Sequence, residues 1–287
     1  MANITPQMVK ALRDKTLAAI GECKKALEEN NGDMDAAIEY LRKKGAASAA
    51  KRAEREAKEG AVIAKTTTDG KTAILVEINS ETDFVSKNES FVNFTKLVGE
   101  TFISSSAKNI DELQAVEING TTVKNHYNDI LAKYGEKIEI RRGKKIATDG
   151  YIESYTHLGG KLAVLVEVSC DKLDDNSKLL LKDIAMQIAA MNPEFVDKSD
   201  VSVERLDKEK EIEIEKAISE GKNPEIAEKI AEGKKNKFFE EFCLNQQIFF
   251  KDNKKVVGDV VAEIGTQCGC DFKVLRFTRW MIGVSED

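Results

Sequence analysis

The chain has 287 residues, of which 41% are hydrophobic and 33% are charged, and its formal net charge is −6. This length predicts about two domains, and the acidic balance argues against a general nucleic-acid binder, whose surface is basic overall. The sequence has no apolar run near the ~20 residues that span a membrane, and its N-terminus lacks the features of a signal peptide, so we expect a cytoplasmic protein.

Three short helices are predicted in residues 1–45. Thr5 and Pro6 suit the start of the first helix, as an N-cap and a proline at the first helical position, and Gly45 is predicted to end the third. Residues 46–59 favour a helix but contain no large apolar residue, which predicts a helical linker. Because this linker separates the three helices from the rest, we expect them to form a docking module for a partner, not to pack on the body.

The linker region is also the main positive stretch of the chain. Residues 42–59 contain seven basic and three acidic residues. We expect these basic residues to form a solvent-exposed helix face. The alternative is contact with an acidic partner, and it includes a different function, an RNA- or ribosome-associated binding module that uses residues 42–58.

The middle of the chain contains an internal repeat, in which residues 60–78 match residues 150–168 at a constant offset. The repeat predicts an α+β fold with two similar units side by side, each a sheet covered on one face by helices. The first unit is residues 60–145, and the second is residues 146–198 with 241–287. Identical pairs include Gly60/Gly150, Gly70/Gly160, Lys71/Lys161, Ala73/Ala163, Leu75/Leu165, Val76/Val166 and Glu77/Glu167, and the helix positions Phe91, Phe94 and Val98 match Leu181, Ile184 and Ile188.

The segment that follows the second strand of the first unit carries an aromatic residue where a polar loop is expected. Phe84 either packs back on the following helix, for instance on Phe91, or projects outward as the anchor of a binding surface. At the offset of the repeat, the second copy has Asp174 in place of Phe84. This difference favours the outward position, although the second copy could close its loop with Leu173.

Residues 199–240 interrupt the second unit. They are mostly charged, and Asn223 with Pro224 suits the start of a second helix after a break. The pattern predicts an inserted antiparallel helical hairpin that resembles a short coiled coil. Its predicted seam consists of Ile212, Ile214, Ala217, Ile218, Ile226, Ile230 and Ala231.

Catalytic and metal-binding motifs are not recognised in the sequence. The five cysteines are scattered and predict reduced thiols, and Cys268-Gly269-Cys270 has no second close pair to complete a zinc site. Gly70-Lys71-Thr72 resembles the end of a phosphate-binding loop, but a strand follows it instead of a helix. We therefore predict a protein that is not an enzyme, that needs no cofactor or metal and that does not bind nucleotide directly.

Three motifs carry a resemblance to a known family. Thr82-Asp83-Phe84-Val85 after an apolar strand resembles the signature of bacterial elongation factor Ts, the exchange factor of elongation factor Tu. Residues 23–27 and 138–142 are similar to two further motifs of the family, in the same order. The resemblance implies a ubiquitin-associated-like N-terminal module, a coiled-coil protrusion and release of GDP from elongation factor Tu. The implied partner is elongation factor Tu in its GDP-bound and nucleotide-free forms. Formation of a weak homodimer is a further alternative.

The family resemblance also implies site residues. The Asp83-Phe84 loop would wedge between two helices of the partner's G domain, with Phe84 in an apolar pocket, and so disturb the Mg²⁺ site. Thr82 and Val85 would shape the loop, while Asp83 would either act on phosphate and metal ligands or cap the next turn. Further implied contacts are Tyr134, Gly135, His157 and, in the N-terminal module, Arg13, Ile20 and Lys24.

The sequence departs from the longer family members at two places. It ends at Asp287, where they continue into a C-terminal helical module, so contacts from that module are expected to be absent. Gly21 and Glu22 stand where the longer relatives have two bulky methionines. We therefore expect the N-terminal region to contact the partner, but with individual contacts that differ from those of the longer relatives.

Overall fold

The computed structural model describes residues 4–16 and 18–285, and for residues 46–51 it describes the backbone only. This part of the chain combines helices with two three-stranded antiparallel sheets, so the predicted α+β class is confirmed. None of its helices is both long enough and apolar enough to cross a membrane.

Three helices begin the chain and enclose a small apolar core. The Thr5 hydroxyl accepts the N–H of Met8 at 3.3 Å, so the predicted N-cap is confirmed. The prediction that Gly45 ends the third helix is wrong, because that helix continues to Lys51. The helices are α1 (Pro6–Thr16), α2 (Ile20–Glu29) and α3 (Met34–Lys51). Their shared core contains Leu12, Cys23, Ala26, Leu27, Ala37 and Leu41.

The first unit is a sheet with helices on its outer face. Its elements are β1 (Glu59–Thr66), β2 (Thr72–Ser80), α4 (Asp83–Ser86), α5 (Glu89–Ser104), α6 (Ile110–Ala115), β3 (Glu117–Ile118), β4 (Thr121–Thr122), α7 (Val123–Lys133) and β5 (Ile138–Ala147). The central strand β2 pairs with β1 on one side and with β5 on the other. Phe91, Phe94 and Val98 of α5 are buried against this sheet, as the repeat predicted.

The second unit repeats this arrangement with β7 in the centre, between β6 and β10. Its elements are β6 (Tyr151–His157), β7 (Leu162–Val168), α8 (Asp175–Met191), α9 (Val203–Ser219), α10 (Pro224–Phe242), β8 (Ile248–Phe249), β9 (Asp252–Val256), α11 (Val257–Cys268) and β10 (Val274–Met281). The positions of α8 that the repeat matched to α5, namely Leu181, Ile184 and Ile188, are all buried.

The duplication reaches the third strand of each sheet, beyond the matched sequence. Glu77 of β2 lies opposite Arg142 of β5, and Glu167 of β7 lies opposite Arg276 of β10. In both sheets the register shifts by one residue directly after the glutamate. The inner faces of the two sheets share one core, which contains Val62, Ala73, Leu75, Ile152, Ala163, Leu165, Trp280 and Ile282.

The N-terminal helices pack on the first unit through α3 and α7. A Cβ atom added at Gly45 would lie 2.8 Å from the Cβ of Ala132, so glycine permits the close approach of these two helices. The Arg42 guanidinium also binds both carboxylate oxygens of Asp129, at 2.6 and 2.9 Å. The expectation that these helices do not pack on the body is therefore wrong.

The helices α9 and α10 run antiparallel and are joined by residues 220–223. Lys210 lies 3.5 Å from Glu228, and Asn223 caps α10 by accepting the N–H of Ile226. The seam between them is narrower than predicted, because its buried members are Ala217, Ala227 and Ala231. Alanine side chains are small and let the two helices approach closely, while three longer isoleucine side chains lie outside the buried seam. The predicted seam is wrong at Ile212, Ile218 and Ile226, which are exposed.

Candidate functional site

Phe84 is the most exposed large apolar residue in the described part of the chain, at 85%. It lies on the single turn of α4, where the sequence predicted only a loop. Phe91 is fully buried in the core of the first unit, so the alternative in which Phe84 packs onto it is wrong. In the second copy, Leu173 does close the loop by burial, and Asp174 caps α8 through the N–H of Ser177 at 2.7 Å.

Hydrogen bonds hold the Phe84 loop to the turn before β5. The Ser80 hydroxyl donates to the carbonyl of Thr82 at 3.0 Å, and the Thr82 hydroxyl donates to Glu136 at 3.2 Å. The Glu81 carboxylate accepts the backbone N–H of Lys137. Val85 packs partly against the core of the first unit. These contacts fix the frame of the loop, while the side chain of Phe84 itself is exposed.

Asp83 begins α4 and is bound within its own helix. Its carboxylate pairs with Lys87 one turn later, at 2.7 Å. This pairing lowers the pKa of Asp83, and the positive charge of Lys161 from the second unit lowers it further. Asp83 therefore carries a negative charge at neutral pH, next to the exposed phenylalanine.

Tyr134 and Gly135 lie beside the same loop. The Tyr134 hydroxyl donates to the side-chain oxygen of Asn88 at 2.6 Å, and that oxygen also accepts the N–H of Ser90 and so caps α5. Burial raises the pKa of Tyr134, whose ring is partly covered, whereas Gly135 is exposed.

His157 is the last residue of β6, directly before the turn that joins β6 to β7. The carbonyl of Gly160 in that turn accepts the N–H of Val62 in β1 at 2.7 Å, and Lys161 pairs with Glu59 at the start of β1. The Tyr155 hydroxyl lies 2.8 Å from Nδ1 of His157, which remains exposed. The turn of the second unit therefore lies against the strand that borders the Phe84 loop.

The predicted residues of the N-terminal helices share one shallow cleft of about 490 Å³. Its lining comprises Ile4, Pro6, Val9, Lys10, Arg13, Asp14, Ile20 and Lys24, so Arg13, Ile20 and Lys24 are brought together. A second cleft of about 300 Å³ runs from Ala18 and Ala19 to Tyr134 and Gly135. The structure thus places Tyr134 and Gly135 beside the N-terminal helices, whereas Arg13, Ile20 and Lys24 line a separate cleft.

Two further residues of interest were not predicted from the sequence. The Nε and Nη2 atoms of Arg52 are buried, and no hydrogen-bond partner for them exists among the described residues. Arg52 belongs to the basic stretch, but the sequence alone did not separate it from its neighbours. Leu158, next to His157, is exposed although it is a large apolar residue in a turn.

The pKa of Glu136 in the loop frame is raised above its ordinary value. Burial is the main cause that raises its pKa, and the charge of Glu81 adds to the effect. The hydrogen bonds from Thr82 and the charge of Arg52 act in the opposite direction. The loop frame therefore contains a carboxyl group that binds its proton more tightly than an exposed one.

Replacing Glu136 with glutamine is expected to flatten the pH dependence of stability. The pKa of Glu136 is above its ordinary value of 4.5, so its contribution favours folding below that pH and is lost as the pH rises through the raised pKa. Glutamine does not titrate and still accepts the Thr82 hydroxyl. Urea unfolding of both proteins between about pH 4 and pH 7 measures the effect, with the exposed Glu117→Gln as control. Parallel pH profiles for wild type and Glu136→Gln would contradict this expectation.

Within residues 4–16 and 18–285, no group of three His, Cys, Asp or Glu residues could hold a metal ion. Cys23 and Cys243 are free thiols without solvent exposure, and burial raises the pKa of Cys243 to about 11. They act as small apolar residues of the core, as predicted.

Comparison with known proteins supports the family resemblance. A family model described as elongation factor TS matches residues 81–284. The elongation factor Ts of Trichlorobacter lovleyi is 44% identical over 288 residues, which cover 98% of this chain and 93% of the relative. That of Chloroherpeton thalassium is 43% identical over 291 residues, 99% of each chain. That of Chlorobaculum parvum is 41% identical over 288 residues, 99% of this chain and 100% of the relative.

Proposed function

The chain belongs to the elongation factor Ts family and is therefore a translation elongation factor, and on this premise we propose that it is the guanine nucleotide exchange factor of elongation factor Tu. It binds elongation factor Tu with GDP, inserts the Asp83-Phe84 loop beside the phosphate site, weakens the hold on Mg²⁺ and releases GDP so that GTP can bind. This work requires no bond chemistry, so the protein acts in the cytoplasm as a binding factor and not as an enzyme.

Exchange by this route needs only a difference between two affinities. A GTPase holds GDP through a phosphate-binding loop, a lysine and Mg²⁺, which must all let go together. A factor that binds the empty form more tightly than the loaded form hastens release. By linkage, the nucleotide weakens the binding of the factor by the same ratio. The factor therefore needs an anchor that fits the distorted GTPase, and it needs no acid, base or metal ligand.

The observation that carries the proposal is the exposure of Phe84 on a loop that is otherwise tied down. Full burial of a phenylalanine side chain contributes about 1.5–3 kcal/mol, and about 1.4 kcal/mol is a tenfold change in affinity. Its frame, from Ser80 to Glu136, limits the flexibility that would be lost on binding. Phe84 thus supplies a large share of the binding difference.

The other predicted contacts extend the same surface. Three observations support this interpretation. Tyr134 binds Asn88, close after the Phe84 loop, and the turn that follows His157 binds β1. Arg13, Ile20 and Lys24 line a cleft that also contains apolar side chains. We interpret these helices as a ubiquitin-associated-like docking module. We interpret α9 with α10 as a coiled-coil-like insertion in the second unit.

The alternative function, RNA or ribosome binding through residues 42–58, is weakened by the pairing of the basic side chains. Most of these charges already have a carboxylate partner within the chain. The pairs are Arg42 with Asp129, Lys43 with Glu39, Lys44 with Glu22, Arg55 with Glu81, and Lys58 with Glu56. Charges that are neutralised in this way attract phosphates less strongly.

The experiment that tests the proposal is release of a fluorescent GDP from purified elongation factor Tu, with and without the chain. We expect release to accelerate with the concentration of the chain and to saturate. A chain that leaves the rate unchanged would refute the exchange function. The RNA alternative instead predicts tight RNA binding that falls steeply with salt, so the same preparation is titrated with labelled RNA at several salt concentrations.

A further inference from the structure

The turn directly after His157 has an unusual backbone conformation. The carbonyl of His157 accepts the N–H of Gly160 at 3.1 Å, and the two central residues, Leu158 and Gly159, have φ angles of +50° and +65°. Four residues, 158–161, join β6 to β7, and Gly160 also has a positive φ, of +97°. A β-turn with positive φ at both central positions favours asparagine, aspartate or glycine there. Leucine at the first of these positions is therefore conformationally unfavourable.

Leu158 differs from the other residues with this backbone conformation. Three further non-glycine residues in the described ranges have a positive φ, and all three are asparagines: Asn31, Asn119 and Asn192. Asparagine tolerates the left-handed region, whereas the Cβ of leucine comes too close to the following carbonyl oxygen. The Leu158 side chain is also 68% exposed, so burial within its own chain offsets little of the strain.

The first unit shows that the fold does not require this conformation. At the offset of the repeat, its hairpin turn has Thr68 where the second turn has Leu158. The carbonyl of Thr67 accepts the N–H of Gly70 at 2.8 Å, and the positive φ falls on Gly70, while Thr68 and Asp69 avoid it. A turn of the same length is thus built from polar residues without strain at a side-chain-bearing position.

The position of Leu158 relates it to the Phe84 loop. Its turn lies against β1 through the bond from Val62 to Gly160, at 2.7 Å, and through the pair of Lys161 with Glu59. Glu59 in turn lies opposite Ser80, the last residue of β2 before the loop. Two exposed apolar side chains therefore stand at neighbouring loops, one from each copy of the repeat.

We propose that Leu158 is a second apolar anchor, which packs on an apolar surface of the same GTPase that receives Phe84. The proposal rests on the proposed exchange function and extends its binding surface to the second unit. Strain at Leu158 is retained because it holds an apolar side chain outward at a place where glycine or asparagine would make a better turn. Each copy of the repeat then contributes one anchor. In the first copy it lies in the loop after the second strand, and in the second copy it lies in the hairpin turn.

Two substitutions separate binding from folding. Leu158→Gly removes both the side chain and the strain, and Leu158→Asn keeps a residue that tolerates the turn but is polar. We expect both variants to bind nucleotide-free elongation factor Tu about tenfold more weakly, which corresponds to about 1.4 kcal/mol. Their melting temperatures should equal or exceed that of the wild type. Leu179→Ala is the matched control, because Leu179 is similarly exposed, at 63%, but lies on α8; its binding should not change.

The possible outcomes distinguish the anchor from the exchange function. Wild-type affinity and exchange rate in both variants would overturn the role of Leu158 while leaving the exchange function in place. Weaker binding together with a lower melting temperature in both variants would mean that Leu158 supports the turn, and would also overturn the proposal. If the wild-type chain itself fails to accelerate GDP release, the exchange function and the anchor are both refuted.

Discussion

Replacing Phe84 with alanine is expected to reduce the acceleration of GDP release by about 10- to 100-fold. The side chain is almost entirely exposed in the free chain. Its removal therefore eliminates all of the free energy that its burial contributes on binding. Stability should hardly change, because exposed substitutions usually stay within about 0.5 kcal/mol. Stopped-flow release of fluorescent GDP measures the rate, and thermal unfolding measures stability on the same preparations.

Phe250→Ala is the matched control for this prediction. Phe250 is also an exposed phenylalanine, at 50%, but it lies in the turn between β8 and β9 of the second unit. Its removal should leave exchange unchanged. Equal exchange rates for Phe84→Ala and wild type would show that the wedge interpretation is wrong, even if the chain is an exchange factor.

Replacing Glu77 with alanine is expected to destabilise the chain by about 3–5 kcal/mol, the usual effect of removing one partner from a buried ion pair. Glu77 is fully buried, and its carboxylate accepts bonds from Arg141 at 2.9 Å, from Arg142 at 2.6 Å and from the N–H of Gly283 at 3.0 Å. The guanidinium of Arg142 also lies over the ring of Trp280, at 4.3 Å. Alanine would leave two mostly buried positive charges without this carboxylate. Urea unfolding gives the change in free energy.

Glu167→Ala provides a matched control from the second copy of the repeat. Glu167 occupies the equivalent position in β7, but its partner Arg276 is 56% exposed and can be hydrated when the carboxylate is removed. We therefore expect a loss of roughly 1 kcal/mol, as for a partly exposed pair. Equal losses for Glu77→Ala and Glu167→Ala would contradict the view that burial of the arginines determines the effect.

The repeat explains why most of the core could be predicted from the sequence. Matching apolar residues on β2 and β7, and on α5 and α8, identified the central strands and the helices that cover them. The pairing of Glu77 with Arg142, and of Glu167 with Arg276, was not predicted. The arginine strands follow their central strands at different distances along the chain, so one constant offset does not align them.

Two of the structural errors come from contacts between helices. Gly45 resembles a helix stop, because glycine is common just after helices, but here it permits α3 to approach Ala132 of α7. In the helical hairpin, spacing alone could not separate isoleucines from alanines on neighbouring faces. The alanines are the residues that become buried when α9 packs on α10. Which face is buried depends on the packing of the two helices and not on the spacing of apolar residues alone.

The outward position of Phe84 could be predicted because the second copy has an aspartate in its place. The same comparison, applied to Thr68 and Leu158, would have revealed the second exposed apolar residue. The strain at Leu158 could not be predicted, because it depends on a φ angle that the sequence does not display. The buried nitrogens of Arg52 likewise depend on how the N-terminal helices pack against the turn before β5.

The most direct test of the central claim compares the affinity of the chain for nucleotide-free elongation factor Tu with its affinity for the GDP-bound form. We predict tighter binding to the nucleotide-free form, and a matching loss of GDP affinity when the chain is bound, because the two effects are linked. Phe84→Ala should bring the two affinities closer together. Equal affinities of the wild-type chain for both forms would contradict the claim that it releases GDP by preferring the empty GTPase.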